Sequence, residues 1–282
     1  MSFALNSLLH IPDHEYRAID AVSNSTLSAS KRSPWHARHA LVSETPAMKW
    51  GSAIHMAILE PERFKHSYVV EPKFSGLTKD GRESSRSGEA KKKKEEWLRS
   101  IPQDALVISE EDALLLTSIL QEIRGRSDIM DLITDSFTEV STVWDMDGIK
   151  CKARADIFNP NTPFILDIKS CPDASETEFG WTILKRGYRR QAAWYSEGFS
   201  HTVGRPIDKF YFLAVESDLT LCEDGVRAGV ALYELSKDDM ECGWFEVKEL
   251  FEKYAHCLKS GMFPMYENKI LKLRRDSNEV LT

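Results

Sequence analysis

The sequence predicts an α/β protein with a mixed central sheet flanked by helices. Three observations carry this expectation. Apolar residues recur with helical period through most of the first 135 positions, and alternating strand patterns joined by tight turns fill 139–168. Helix, two strands and a last amphipathic helix then follow. At 282 residues the chain can bury roughly three quarters of its unfolded surface, so a single domain over 1–282 is expected. Within it, 1–135 is the mainly helical part, 136–260 the sheet core and 261–282 a tail.

The elements follow in order. Ser23, Asn24 and Ser25 precede an apolar-periodic stretch and can cap a helix, and Pro34 opens another. The stretch 51–60 reads as a helix with Ser52 as cap and Pro61 as terminator. Residues 73–90 are rich in Gly, Ser and charge without a hydrophobic period, which predicts a mobile loop or lid, although plain disorder fits almost as well. Helical patterns return at 91–100 and 109–134. Strands are expected at 139–145 and 149–158 around the hairpin turn Asp147-Gly148, and at 164–168 after the turn at 159–162. A helix at 182–199, strands near 209–216 and 229–235, and a helix at 236–259 complete the chain.

Composition narrows the function. The net charge is −7, from 44 acidic and 37 basic residues, so any contact with a polyanion must be local. The candidate clusters are Lys91 to Lys94, the run from Lys185 to Arg190, and the tail with Lys269, Lys272, Arg274 and Arg275. Each also fits an ordinary solvated face. The five cysteines are scattered without a C-x-x-C pair, which argues against a disulfide scaffold or a structural zinc. No run approaches about 18 uninterrupted apolar residues, and no basic leader precedes the first apolar patch, so a cytoplasmic protein without membrane contact is expected.

Strand alternation puts Lys150, Lys152, Arg154, Asp156 and Phe158 on one face and Ile149, Cys151, Ala153, Ala155 and Ile157 on the other. On the next strand Ile165, Asp167 and Lys169 share a face. If the turn at 159–162 pairs these strands, Asp156 comes beside Asp167, and two carboxylates converge with a lysine. Two close anions repel unless a proton or cation lies between them. Carboxylate oxygens suit Mg²⁺ or Mn²⁺, Glu139 on the first strand offers a further oxygen, and Lys169 beside an attacking water can orient or deprotonate it. That is an apparatus for phosphodiester hydrolysis; a surface charge network is the plain alternative.

The set Gly51-x-x-x-His55-x-x-x-Leu59-Glu60, Asp156 in RADIF, Asp167-Ile168-Lys169 in ILDIKS and Gln191-x-x-x-Tyr195 in RRQAAWY resembles the PD-(D/E)xK nuclease superfamily. The likeness is to its RecB-like branch and most closely to the RecE-type exonucleases of prophage recombination systems, from about residue 15 to 260. It implies a restriction-endonuclease-like core in which His55, Asp156, Asp167 and Lys169 are catalytic. Metal ligation falls to His55, Asp156 and Asp167, with Glu139 and Ile168 completing the set. Gln191 and Tyr195 share a helix face with Tyr188, and with Arg186, Arg189, Arg190, Lys79 and Arg82 they are expected at DNA. An isolated helical His or an amphipathic helix with Trp194 in the core is otherwise structural.

The resemblance further implies Mg²⁺-dependent, 5′ to 3′ digestion of linear double-stranded DNA, leaving a 3′ tail for a single-strand annealing protein of RecT type. It implies a ring-shaped homo-oligomer, a tetramer, and Mn²⁺ as a substitute ion. The best-known relatives carry a long extra N-terminal region, so the chain resembles the nuclease module alone. An endonuclease on the same scaffold and a non-catalytic DNA-binding module are the competing readings.

Overall fold

The computed structural model describes residues 4–266 apart from 42, 44, 79, 104 and 224. Strand β1 (Ser7–Leu9) leads to short helices α1 (Asp13–Ala18), α2 (Asn24–Arg32) and α3 (Pro34–His39). Ser23 and Thr26 form a reciprocal capping box at the start of α2, and Ser33 with Pro34 starts α3. Helix α4 (Pro46–Leu59) begins five residues earlier than the spacing at 51–60 suggests, because Thr45 is its cap. Ser52 therefore caps nothing; its hydroxyl donates to the Met48 carbonyl inside the helix. Pro61 ends α4 as expected and opens α5 (Pro61–Ser67).

The loop expected at 73–90 carries structure. After β2 (Tyr68–Val70), β3 (Gly76–Leu77) and β4 (Glu83–Ser84) form a small hairpin, and α6 (Gly88–Ser100) starts within the range, capped by Ser87. Strand β5 (Leu106–Ile108) pairs in parallel with β2. The pattern at 109–134 resolves into α7 (Glu110–Arg124) and α8 (Ser127–Ile133), separated at Gly125.

The remaining strands are β6 (Phe137–Met146), β7 (Ile149–Asn159), β8 (Phe164–Cys171), β9 (Lys209–Cys222) and β10 (Gly225–Glu234). Helices α9 (Glu176–Arg186), α10 (Tyr188–Val203) and α11 (Lys237–Ser260) complete the description. The one helix expected at 182–199 is two, because Gly187 adopts the left-handed conformation at φ 69° and breaks the run. Asp147 and Gly148 both have positive φ, the conformation that this two-residue hairpin turn requires.

The central sheet has the order β1-β6-β7-β8-β9-β10, mixed because β8 and β9 run parallel while the other neighbours are antiparallel. Strand β1 is an addition to the sequence expectation. Side chains alternate across the sheet into two cores. On one face Trp144, Phe158, Ile165, Phe210 and Phe212 pack against Trp194 and Phe199 of α10 and Val247 and Phe251 of α11. On the other, Ile157, Leu166, Ile168 and Leu213 meet Ile54 of α4 and Leu116 and Ile119 of α7. The Trp144 and Trp194 ring centres lie 4.9 Å apart, a tilted pair worth about 0.5–1.5 kcal/mol beyond its buried area.

Helix α11 approaches α10 so closely at Gly243 that a Cβ there would stand 2.6 Å from the carbonyl carbon of Arg189. That backbone cannot yield without moving the start of α10. Gly243→Ala should therefore destabilise the fold by about 1–3 kcal/mol, read as a lower urea midpoint with an unchanged slope. Among the described residues no helix is long and apolar enough to cross a membrane.

Candidate active site

The site forms where β7 and β8 part. Their ladder runs from Asn159↔Phe164 to Ile157↔Leu166 and stops one step short of Asp156 opposite Asp167. There a side chain takes over the backbone's role: Asp156 Oδ2 accepts the Ile168 amide at 2.7 Å. The same step breaks the alternation expected for β7. Cys151, Ala153 and Ala155 pack on the α10 face, but Ile157 joins the α4 face and Phe158 returns to α10. Glu139, across from Asp156 on β6, has φ 51°, so both strands slip their facing at this level. The slip aims the two carboxylates at the gap between the strands.

Helix α4 delivers His55 to the same gap. Its Nε2 donates to the Ile168 carbonyl at 2.9 Å, and its Nδ1 lies 3.5 Å from Asp156 Oδ1. His55 and Asp156 thus grip the amide and the carbonyl of one residue. Donor atoms of His55, Glu139 and Asp156 all lie within 4.8 Å of one another. Glu139 is held from behind by Arg154, whose Nε donates to its Oε2 at 2.7 Å and whose other arm reaches the Ile11 carbonyl.

Asp167 and Lys169 project together from β8, as alternation predicts. They form an ion pair through Oδ2, while Asp167 Oδ1 accepts from Gln191 Nε2 at 2.6 Å. That Oδ2 has the lysine's charge nearby but no well-aligned hydrogen bond, so a buried lone pair stays available. Tyr188, at the start of α10, places its ring 4.7 Å from Lys169 Nζ, and Tyr195 lies one turn beyond Gln191. The arrangement separates two subgroups, His55-Glu139-Asp156 and Asp167-Lys169-Gln191, that share Ile168 as a hinge.

Burial opposes charge on both aspartates, yet they diverge. Asp156 is held below the usual carboxylate range, because His55, Lys169 and the Ile168 amide outweigh its burial. Burial pushes Asp167 up to about 6, with the Asp156 charge adding to it against the pull of Lys169. His55 is driven the other way by burial, but the charge and hydrogen bond of Asp156 carry it up to about 9. Lys169 is raised despite burial because two carboxylates face it. A cation entering here therefore displaces protons, chiefly that of His55.

A divalent cation fits these donors. His55, Glu139 and Asp156 bring one imidazole and two carboxylates together, and their oxygens suit Mg²⁺ and Mn²⁺; Asp167 stands outside this group, held by Lys169 and Gln191, and the Ile168 carbonyl accepts from His55. A cavity of about 410 Å³ adjoins the site, lined by Tyr16, Arg17, Asn24, Ser25, Lys152, Gln191 and Tyr195. In the sequence its N-terminal residues carry no more than a helix-capping signal; their return to Gln191 in space is what marks them.

The residues expected at DNA separate by exposure. Arg186 is exposed at the end of α9, and Arg82 is exposed beside the small hairpin. Arg189 and the buried Arg190 both pair with Glu246 of α11, and Arg190 also donates to Asn24 and Ser28. Their guanidinium groups are spent on tying α10 to α2 and α11, which turns them away from a phosphate backbone. Lys79 lies outside the described residues, as do the basic side chains of the tail. In α6, Lys92, Lys93 and Lys94 pair with Glu96, Glu89 and Glu71.

A family model described as a PDDEXK-like domain of unknown function, DUF3799, matches residues 15–275. No curated protein matches the chain. Among solved structures, a candidate exonuclease from Eubacterium rectale is similar with TM-score 0.60 at 12% identity, covering 95% of this chain and 97% of its own. At that identity the likeness speaks for the fold. A phage-related exonuclease from Haemophilus somnus 129PT gives TM-score 0.32 at 13% identity, over 68% of this chain and 91% of its own.

Proposed function

The chain belongs to the PDDEXK-like family DUF3799, and from that premise we propose that it is a metal-dependent exonuclease acting on the ends of linear double-stranded DNA. The single observation that supports this best is the gathering of His55, Asp156, Asp167 and Lys169 around the backbone of Ile168. Bound among them, Mg²⁺ supplies positive charge against the scissile phosphate and makes water easier to deprotonate. The protein's own groups do the rest. His55, Asp156 and Asp167 hold the ion, Glu139 adds an oxygen, and Arg154 fixes the direction of Glu139. Lys169, kept as an ammonium by the two carboxylates, aligns the attacking water and offsets the charge that develops on the phosphoryl oxygens.

Gln191 keeps Asp167 in place by donating to it, and Tyr188 backs the ammonium of Lys169. The finer reading follows the motif set of the RecE type: digestion from 5′ to 3′, a 3′ tail passed to an annealing protein, and a ring of four subunits. Exposed Arg186 and Arg82 are its remaining described backbone contacts.

Digestion of end-labelled linear duplex in Mg²⁺, with a closed-circle control, tests the reading. The 5′ label should be released first as short product while the 3′ label stays on a shrinking strand, and the circle should survive. Nicked or linearised circle would replace the exonuclease with an endonuclease, and retention of duplex without degradation would favour a binding module.

A further inference from the structure

Helix α9 carries an exposed aromatic and apolar stripe, beside Arg186, that the chemistry above does not use. One side packs inward: Phe179 stacks on Tyr233 at 5.4 Å and meets Phe212 and Tyr188, and Ile183 joins the same core. On the side turned away from this core, Trp181 is 52% exposed and Leu184 43%, with Lys185 and Arg186 exposed next to them. Trp181, Leu184 and Lys185 are three and four residues apart and so form one stripe. The chain has seven tryptophans, and this is the one whose side chain is mostly in water; the others are buried or half-buried.

The stripe leads to the active site. It ends at Arg186, Gly187 turns the chain, and the next residue is Tyr188, whose ring covers Lys169. At about 1.5 Å per residue Trp181 stands about 8 Å up the helix from Arg186, of the order of two to three nucleotides at about 3.4 Å each. Its neighbour Gly180 is a second oddity. Glycine inside a helix costs stability, and here no packing demands it, since a Cβ would meet nothing within 4 Å.

We propose that Trp181 is a stacking platform for an unpaired nucleobase of the DNA end, with Lys185 and Arg186 holding the adjoining phosphates. This rests on the nuclease reading and deepens it, by giving the protein a contact for bases as well as for backbone. The cations favour DNA over an apolar partner, because Lys185 and Arg186 set local positive charge beside the aromatic stripe, which attracts a polyanion against the overall charge of −7. Trp181 is a positioning residue and touches no reacting atom.

The test uses the whole chain in Ca²⁺, with duplexes that carry 2-aminopurine at the first, second or third position of a short single-stranded overhang. Wild-type protein should quench the probe at one of these positions, Trp181→Phe should keep most of the quench, and Trp181→Ala should lose it with about five- to tenfold weaker binding. Equal quenching and affinity in Trp181→Ala would overturn the proposal. So would unchanged DNA binding together with a changed oligomer mass, which would assign the stripe to contact between copies. If wild-type protein neither binds nor degrades DNA ends, the nuclease reading itself fails; degradation that Trp181→Ala leaves unaltered defeats the platform alone.

Discussion

Replacing Lys169 with alanine should lower the single-turnover rate of DNA cleavage by about 10²–10³-fold, the usual cost of removing a preorganised group that stabilises charge in the transition state. The fold should persist, because the loss is confined to the ion pair with Asp167 and the contact with the Tyr188 ring, and the Asp167 carboxyl left behind can take up a proton. DNA retention in Ca²⁺ should stay within a few-fold of wild type. The substitution separates two roles for the lysine. If it only neutralised Asp167, its removal would leave a buried carboxylate without a counter-ion, and that carboxyl, already pushed up to about 6, would bind protons more readily still. Excess divalent cation or higher pH would then restore cleavage. If Lys169 handles the attacking water, neither rescues it. The account predicts no rescue, and recovery above a tenth of the wild-type rate at high Mn²⁺ would reduce Lys169 to a spacer.

Asp156→Asn should be as severe for a different reason. The amide oxygen can still accept the Ile168 N–H that Asp156 Oδ2 accepts at 2.7 Å, so the parting of β7 and β8 survives. The lost charge does not. It is what carries His55 up to about 9 and what opposes the positive charge of any bound ion. We expect Mn²⁺ binding to weaken at least 100-fold by calorimetry and cleavage to fall by more than about 10³-fold, with a near-native melting temperature. His55 in this variant should titrate lower than in wild type, visible in its imidazole proton resonances. Wild-type affinity for Mn²⁺ would remove Asp156 from the ligand set.

Much of this site is legible in the residues alone, and the parts that are not share a cause. The Asp147-Gly148 turn, the strands on either side of it and the pair Asp167-Lys169 follow from local chemistry: a turn that needs positive φ, and a period of two. The slip at Glu139 and Asp156 does not, because a non-glycine residue at φ 51° leaves no trace in hydrophobic pattern. The break at Gly187 is hidden for a similar reason, since glycine inside an amphipathic stretch is often tolerated. Strand β1, with three residues, is too short to show a period. Arg186, Arg189 and Arg190 look alike in a basic run. Only the position of Glu246, more than fifty residues away, shows that two of them are held inward and one is free to reach outward. Local reading finds groups that act with their neighbours and misses those whose partners come from distant elements.

The central claim is that His55, Asp156 and Asp167 together hold a divalent cation beside Lys169. Anomalous diffraction from a crystal soaked in Mn²⁺ at pH 8, where Asp167 is ionised, tests it most directly. The account predicts a peak within about 2.0–2.4 Å of the carboxylates of Asp156 and Asp167 and of a nitrogen of His55, with the Ile168 carbonyl in its shell. A peak elsewhere, in crystals of protein that degrades DNA in the same Mn²⁺ solution, would contradict it.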